Sequence, residues 1–136
     1  MQSVKAEDIL RVTKTILVVD WPSRDVPDTL VRAGYDVVVR GGPAPDHYST
    51  YVVDDGEVLE QRTGRPPERA DLVYSYRPVD ELPQIVEHAQ RLGAHAVWVQ
   101  LSPEESPRAR VIVETAGLSF VDGPYLPDAV RALNPP

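Results

Sequence analysis

The chain has 136 residues, of which 42% are hydrophobic and 26% are charged, and its net charge is −7. This size and composition are typical of one globular domain with its own core. The excess of acids predicts no nucleic-acid partner, because phosphate backbones are bound by basic surfaces. The absence of cysteine excludes disulfides and thiolate chemistry and fits a cytoplasmic protein. With no membrane-length apolar run and no signal peptide in the sequence, we expect no membrane partner.

The first part of the chain predicts a helix followed by two strands with a helix between them. Residues 6–14 predict a short amphipathic helix, and the apolar run at 15–20, which ends in an acid, predicts a strand buried on both faces. Residues 25–33 predict a helix that ends at Gly34. Residues 35–40 predict a second strand, which the glycines and prolines after it break.

The segment from Gly41 to Ala70 is long for a connection between two parallel strands. Within residues 51–62, Asp55-Gly56 separates two extended-looking runs, which predicts a β-hairpin. Long loops in compact domains are often functional. A surface hairpin that only covers a sheet edge explains the segment equally well.

The second part predicts three further strands, at residues 72–76, 94–100 and 118–121. Helices are predicted from a cap at Asp80 to a stop at Gly93, from near Pro107 to Thr115, and at 128–133. This alternation predicts an α/β fold: a doubly wound, mostly parallel, five-stranded Rossmann-like sheet with helices on both faces and a β-hairpin insertion after strand two. We expect residues 1–136 to form a single domain.

The ends of the strands are the candidate site, because ligands of open α/β sheets bind outside the carboxyl ends of the strands. The first turn, Asp20-Trp21-Pro22-Ser23, lacks the glycines that let a backbone approach a diphosphate. Pro22 removes one amide donor, and Asp20 would repel a phosphate. Ser23 and Arg24 could still donate hydrogen bonds to one.

The second turn begins with Arg40 and Gly41. An arginine at this place favours a phosphorylated ribose, which coenzyme A and NADP both carry. A solvated arginine before a glycine turn is an equally good explanation.

The third and fourth turns add Arg77-Pro78 and Gln100. Arg77 could pair with a phosphate or stack on adenine, or it could instead pair with a carboxylate of Asp80 or Glu81. Trp98 lies on the same side of its strand as Gln100 and is expected in the core. We expect Arg77 and Gln100 to emerge side by side at one edge of the sheet and to share a pocket, unless Trp21 fills it.

Residues 71–101, together with 116–118 and Asp122, resemble the small stand-alone CoA-binding domain proteins, whose Rossmann-like fold is related to the nucleotide-binding part of succinyl-CoA synthetase. The shared features are a strand ending in aromatic-Arg-Pro, a helix with Pro-x-Ile-Val-Glu and Leu-Gly-Ala, and the run Val-Trp-Val-Gln-Leu. The resemblance extends more loosely to residues 33–37 and leaves out 41–70. It implies coenzyme A at the strand tips, near Arg77 and Gln100.

The chain departs from that family pattern at three turns. The small Gly-Ala-Ser type turn after strand one is replaced by residues 20–23, the Asn-Pro after strand two by residues 40–42, and the Asp-Arg-Cys-like segment after the last strand by residues 122–125. A changed ligand, or the loss of one, therefore stays open.

The sequence offers no catalytic constellation. The three histidines lack metal-ligand spacing, and neither a nucleophile elbow nor a phosphate-binding P-loop occurs. The chain is therefore predicted to be a protein that binds coenzyme A, or a related small nucleotide-type ligand, without evident catalytic residues. Its predicted contacts are Ser23, Arg24, Arg40, Gly41, Arg77, Pro78 and Gln100.

Two alternatives remain. A degenerate Rossmann domain could act through protein contacts, with an apolar patch or a strand-addition edge at Tyr48, Tyr51, Val58 and Leu59, and a homodimer would follow from such contacts. An enzyme that uses NADP is supported by Arg40 alone.

Overall fold

Seven strands form one mixed sheet in the order β4-β3-β2-β1-β5-β6-β7. The computed structural model describes residues 6–20, 23–41, 47–122 and 124–133. The strands are β1 (Thr15–Val19), β2 (Asp36–Arg40), β3 (Tyr48–Asp54), β4 (Glu57–Arg62), β5 (Leu72–Ser75), β6 (Ala96–Val99) and β7 (Ser119–Asp122). The helices are α1 (Ala6–Arg11), α2 (Asp25–Arg32), α3 (Leu82–Arg91), α4 (Ser106–Thr115) and α5 (Leu126–Leu133).

Five neighbouring strands, β2, β1, β5, β6 and β7, run parallel. The chain moves outward from β1 to β2 and then returns to the other side of β1 to form β5. The order therefore reverses between β1 and β5. At such a switch point the connections leave in opposite directions and open a crevice at the carboxyl ends of the strands.

The predicted number of five strands is wrong, because β3 and β4 extend the sheet. Strand β3 pairs antiparallel with β2, from Val37 opposite Tyr51 to Arg40 opposite Tyr48, and so satisfies backbone groups that an edge strand would leave unpaired. Strand β4 pairs with β3 around a turn in which Asp55 and Gly56 both have positive φ, 51° and 80°.

The hairpin does not carry the predicted apolar patch. Tyr48 and Tyr51 are buried, and they belong to the cores on opposite faces of the sheet. Leu59 is 39% exposed, but it follows the half-buried Val58 and so points to the other face of β4. The four side chains therefore cannot form one surface.

Helices cover both faces of the sheet. Successive residues of a strand point to opposite faces, so Ile16 and Val18 join the core beneath α1, α2 and α5, whereas Leu17 and Val19 join the core beneath α3 and α4. Trp98 is fully buried, as predicted, and its indole N–H donates to the carbonyl of Pro124 at 3.0 Å.

Local signals set the ends of α3. Gly93 adopts the left-handed φ of +76°, and the N–H groups of Gly93 and Ala94 donate to the carbonyls of Gln90 and Ala89 in a Schellman motif. The predicted cap at Asp80 is wrong, because this residue lies inside a short 3₁₀ helix (Val79–Glu81) that precedes α3.

Across the parts of the chain that the structure describes, we find no helix with the length and apolarity needed to cross a membrane.

Candidate functional site

A cleft of about 410 Å³ lies at the carboxyl ends of β1, β2 and β5, at the switch point of the sheet. Val19 and Ile85 supply its apolar part. Its polar part consists of Asp20, Arg40, Arg77, Glu81 and Gln84. Residues from three strands and from the start of α3 therefore meet here, as the topology requires.

Two carboxylates hold Arg77. Its Nη2 donates to Glu81 Oε2 at 2.7 Å, and its Nε lies 3.1 and 3.2 Å from the two oxygens of the same carboxylate. Its Nη1 donates to Asp20 Oδ2 at 3.1 Å. The hydrogen bonds to Glu81, and then the charges of Glu81 and Asp20, raise the pKa of Arg77 above its ordinary value. The structure therefore contains the ion pair between Arg77 and Glu81, which was one of the alternatives that the sequence offered.

Asp20 has an unusual backbone conformation. Its φ is +56°, in the left-handed region that costs a residue with a side chain about 1 kcal/mol or more. The backbone N–H of Asp20 donates to the carbonyl of Arg40 at 2.7 Å, which ties the residue to the end of β2. Its carboxylate is 40% exposed and faces the cleft.

Arg40 is the second cation of the cleft. It is the last residue of β2, and its half-buried side chain lies near α3. Burial lowers the pKa of His88, and the charges of Arg91 and Arg40 lower it further. Among the residues that the structure describes, Arg40 has no carboxylate partner, in contrast to Arg77.

Gln100 does not share this cleft. Its backbone N–H donates to the Ser75 carbonyl at 3.0 Å, so the ends of β5 and β6 are adjacent. Its side chain accepts a hydrogen bond from the hydroxyl of Tyr74 at 2.8 Å, on the face that α1, α2 and α5 cover. The predicted pocket shared by Arg77 and Gln100 is therefore wrong: the two residues lie at one edge, but their side chains go to opposite faces.

Ser23 and Arg24 also lie outside the cleft. The hydroxyl of Ser23 accepts a hydrogen bond from the N–H of Asp25 at 3.1 Å, in the first turn of α2. Arg24 lies over the ring of Tyr51 at 5.2 Å and reaches the carboxylate of Asp28 at 3.5 Å. The prediction that Trp21 could fill the site falls on residues outside the described ranges.

Gly41 and Pro78 have other roles. Gly41 lines a second cavity of about 310 Å³ with Val39, His47, Ser49, Glu60 and Arg62. A Cβ at Gly41 would have no heavy atom within 4 Å, so no steric reason requires glycine there. Pro78 is exposed, and its carbonyl accepts the N–H of Glu81 at 3.0 Å, which starts the 3₁₀ helix.

The sequence reasoning therefore found two of the cleft residues, Arg40 and Arg77, named Glu81 as an alternative partner of Arg77, and missed Asp20 as a second partner. The spacing of four between residues 77 and 81 indicated one ion pair, but no local signal connects Arg77 with Asp20, which lies 57 positions away. The described residues contain no group of three histidine, aspartate or glutamate side chains that could hold a metal ion. The charged side chains of the cleft could therefore bind a ligand through ion pairs and hydrogen bonds.

Comparisons with known proteins agree with this architecture. The crystal structure of Prb, the PH1109 protein redesigned for binding, is similar over 98% of this chain and 95% of that chain, with 22% identity and a TM-score of 0.64. A protein of unknown function from Methanothermobacter thermautotrophicus is similar over 92% of this chain and 95% of that chain, with 14% identity and a TM-score of 0.53. At these identities the likeness shows the fold alone.

No protein of curated function matches the chain. The sequence model of the CoA binding domain, in contrast, matches residues 18–126, which include the end of β1, the strands β2 to β7 and the residues that line the cleft. The resemblance that the sequence motifs indicated is thereby confirmed. The chain belongs to the CoA-binding domain family.

Proposed function

We propose that the protein binds coenzyme A, or a related nucleotide, in the cleft at the β1–β5 switch point, and that it acts by binding rather than by catalysis. The observation that carries this proposal is the meeting of Arg40 and Arg77 in one cleft at the carboxyl edge of the sheet, in a chain of the CoA-binding domain family. Open α/β sheets bind their ligands at this place.

The residues of the cleft fit one part of coenzyme A better than the others. The molecule has a diphosphate, a phosphate monoester on its ribose and an uncharged pantetheine arm. Arg40 lacks a carboxylate partner in the described structure, and a guanidinium matches the geometry of a phosphate. The cleft volume of about 410 Å³ is at the low end for ligand sites, so we expect it to take the nucleotide half of the ligand.

The other cleft residues would position the ligand. The amide of Gln84 can donate to a phosphate or accept from a ribose hydroxyl, and Val19 and Ile85 offer apolar contact to a base or ribose. The two carboxylates of the cleft are both bonded to Arg77, so neither is placed as a free general base in the described structure. This arrangement supports a binding role.

Calorimetric titration of the wild type and of Arg40→Ala with coenzyme A tests the proposal. We expect the wild type to bind and its Tm to rise with ligand concentration, since a ligand that binds only the folded state stabilises it. Loss of a charge-assisted contact should weaken binding by about tenfold or more in Arg40→Ala. The matched control is Arg91→Ala, because Arg91 lies on α3 but its side chain is 70% exposed and pairs with Glu87.

Absence of binding by the wild type at millimolar coenzyme A would contradict the proposal. Equal affinities of wild type and Arg40→Ala would remove Arg40 from the site. NADPH serves as a second ligand: tighter binding of NADPH than of coenzyme A would favour the alternative of an NADP-dependent protein.

A further inference from the structure

We propose that Asp20 selects the ligand of the cleft: it keeps a diphosphate away from the β1–α2 turn, so that the cleft accepts a phosphate monoester at Arg40. This inference rests on the proposed function, because it concerns the same cleft. Coenzyme A carries both a diphosphate and a phosphate monoester, and the inference is that Asp20 determines which of the two groups binds in the cleft.

The first support is that two carboxylates neutralise the charge of Arg77. All three nitrogen atoms of its side chain donate to carboxylate oxygens of Asp20 or Glu81 at 2.7–3.2 Å. A phosphate that bound another N–H group of Arg77 would lie beside the carboxylates of Asp20 and Glu81. Like charges at such distances disfavour binding.

The second support is the chemistry of the β1–α2 turn. Helix N-termini bind diphosphates through free backbone N–H groups. Here the N–H of Asp25 is already bonded to the hydroxyl of Ser23, and Pro27, the third residue of α2, has no N–H. The first turn of α2 also carries the carboxylates of Asp25 and Asp28, which already complement the positive end of the helix.

The third support is the backbone of Asp20. A φ of +56° suits glycine, and aspartate at this position retains a conformational cost. Its carboxylate forms an ion pair with Arg77 at 3.1 Å, inside the cleft. A strained residue whose side chain reaches into a binding cleft indicates a role for that side chain in the cleft.

Arg40 provides the contrast with Arg77. Arg40 stands at the end of β2, where the described residues supply no carboxylate partner. Among the described residues of the cleft, the cation whose charge no carboxylate neutralises is therefore Arg40. A phosphate monoester bound there leaves the Asp20–Arg77–Glu81 cluster intact.

The test compares Asp20→Gly and Asp20→Asn with the wild type. Glycine suits the left-handed backbone, whereas asparagine keeps the size of the side chain and removes only its charge. Affinities are measured by calorimetry for coenzyme A, for dephospho-coenzyme A, for adenosine 3′,5′-bisphosphate and for ADP. Asp80→Asn is the control, since its carboxylate is 81% exposed and pairs with Arg108 instead.

We expect the wild type to bind coenzyme A and the bisphosphate, and to bind ADP and dephospho-coenzyme A at least about tenfold more weakly. Both Asp20 variants should gain about tenfold or more for the two ligands that have only a diphosphate, whereas the Asp80 control should gain nothing.

The outcomes separate the two proposals. If the wild type binds coenzyme A and the Asp20 variants keep its preference, Asp20 is not the selecting residue and the proposed function stands. If the wild type binds no nucleotide but Asp20→Gly binds ADP, the selecting role stands and the proposed function is wrong for the natural chain. If no variant binds any of the four ligands, both are overturned.

Discussion

Tyr74 joins three elements through one buried hydroxyl group. The hydroxyl donates to Gln100 Oε1 at 2.8 Å and accepts the N–H of Leu126 at 3.3 Å. It thereby connects β5 with the end of β6 and the first residue of α5, beside the edge-to-face contact with Trp98 at 6.3 Å. Burial raises the pKa of Tyr74 far above its ordinary value.

Replacement of this hydroxyl should destabilise the fold. We expect Tyr74→Phe to lower the free energy of unfolding by about 1 to 2 kcal/mol, because the buried N–H of Leu126 loses the oxygen to which it donates. Tyr125→Phe is the control: its hydroxyl bonds Asp25 at 3.1 Å in an exposed setting, so its effect should stay within about 0.5 kcal/mol. Urea unfolding measures both, and equal effects would contradict the assignment.

At the residue scale, the sequence predicted contacts that follow from local spacing. The burial of Trp98 and the pairing of Arg77 with Glu81 are of this kind. Gln100 lies on the face of Trp98 by strand alternation, and the register places Trp98 opposite Tyr74, so Arg77 falls on the other face. That register is a long-range property, which no local motif specifies. The pairing of Arg77 with Asp20 depends on strand order.

At the scale of elements, Asp71 fixes the start of β1 relative to the start of β5. Its Oδ2 accepts the backbone N–H groups of Lys14 and Thr15 at 2.9 and 3.0 Å. Burial alone would raise the pKa of Asp71, but the two N–H donors and the charges of Arg69 and His95 outweigh it, and the pKa is lowered from its ordinary 3.8. The ionised carboxylate therefore stabilises the junction.

We expect Asp71→Asn to lower the free energy of unfolding by about 1 to 2 kcal/mol at neutral pH. Because the folded pKa is the lower one, the contribution of the carboxylate is fully present above the ordinary value of 3.8 and is lost as the pH falls through the folded pKa. The difference between variant and wild type should therefore shrink below about pH 4. Urea unfolding across this range checks the slope, with Asp55→Asn as the exposed control; a difference that stays constant with pH would contradict it.

The elements themselves were the most predictable part of the fold. The five parallel strands and the stop at Gly93 follow from short apolar runs and from one left-handed residue, both local properties. The number of strands in the sheet was not predictable in this way. Whether a hairpin extends a sheet or folds over its edge depends on pairing with β2, which no pattern inside residues 48–62 specifies.

At the scale of the whole molecule, alkaline pH should destabilise the protein. Burial is the largest cause of a raised pKa at five tyrosines: Tyr35, Tyr48, Tyr51, Tyr74 and Tyr125. These groups ionise near pH 10 in the unfolded chain but at higher pH in the folded one, so the unfolded state releases protons first. The stability that they provide is complete below about pH 10 and is lost above it.

Urea midpoints measured from about pH 8 to about pH 11 should fall steeply over the upper part of that range. Tyr74→Phe, although less stable at pH 8, should show a smaller further fall, because the most strongly shifted of these groups is missing. If the urea midpoints of the wild type and of Tyr74→Phe fell equally with pH, ionisation of Tyr74 would not contribute to the alkaline destabilisation.

The reversal of strand order between β1 and β5 makes the cleft depend on three strands. Asp20, Arg40 and Arg77 come from three strands, and the cleft exists only while β2, β1 and β5 remain side by side. Under the proposed function, a fragment that lacks one of these strands should therefore not bind coenzyme A. We expect saturation with the ligand to raise the protease resistance of β1, β2 and β5 together rather than that of one loop.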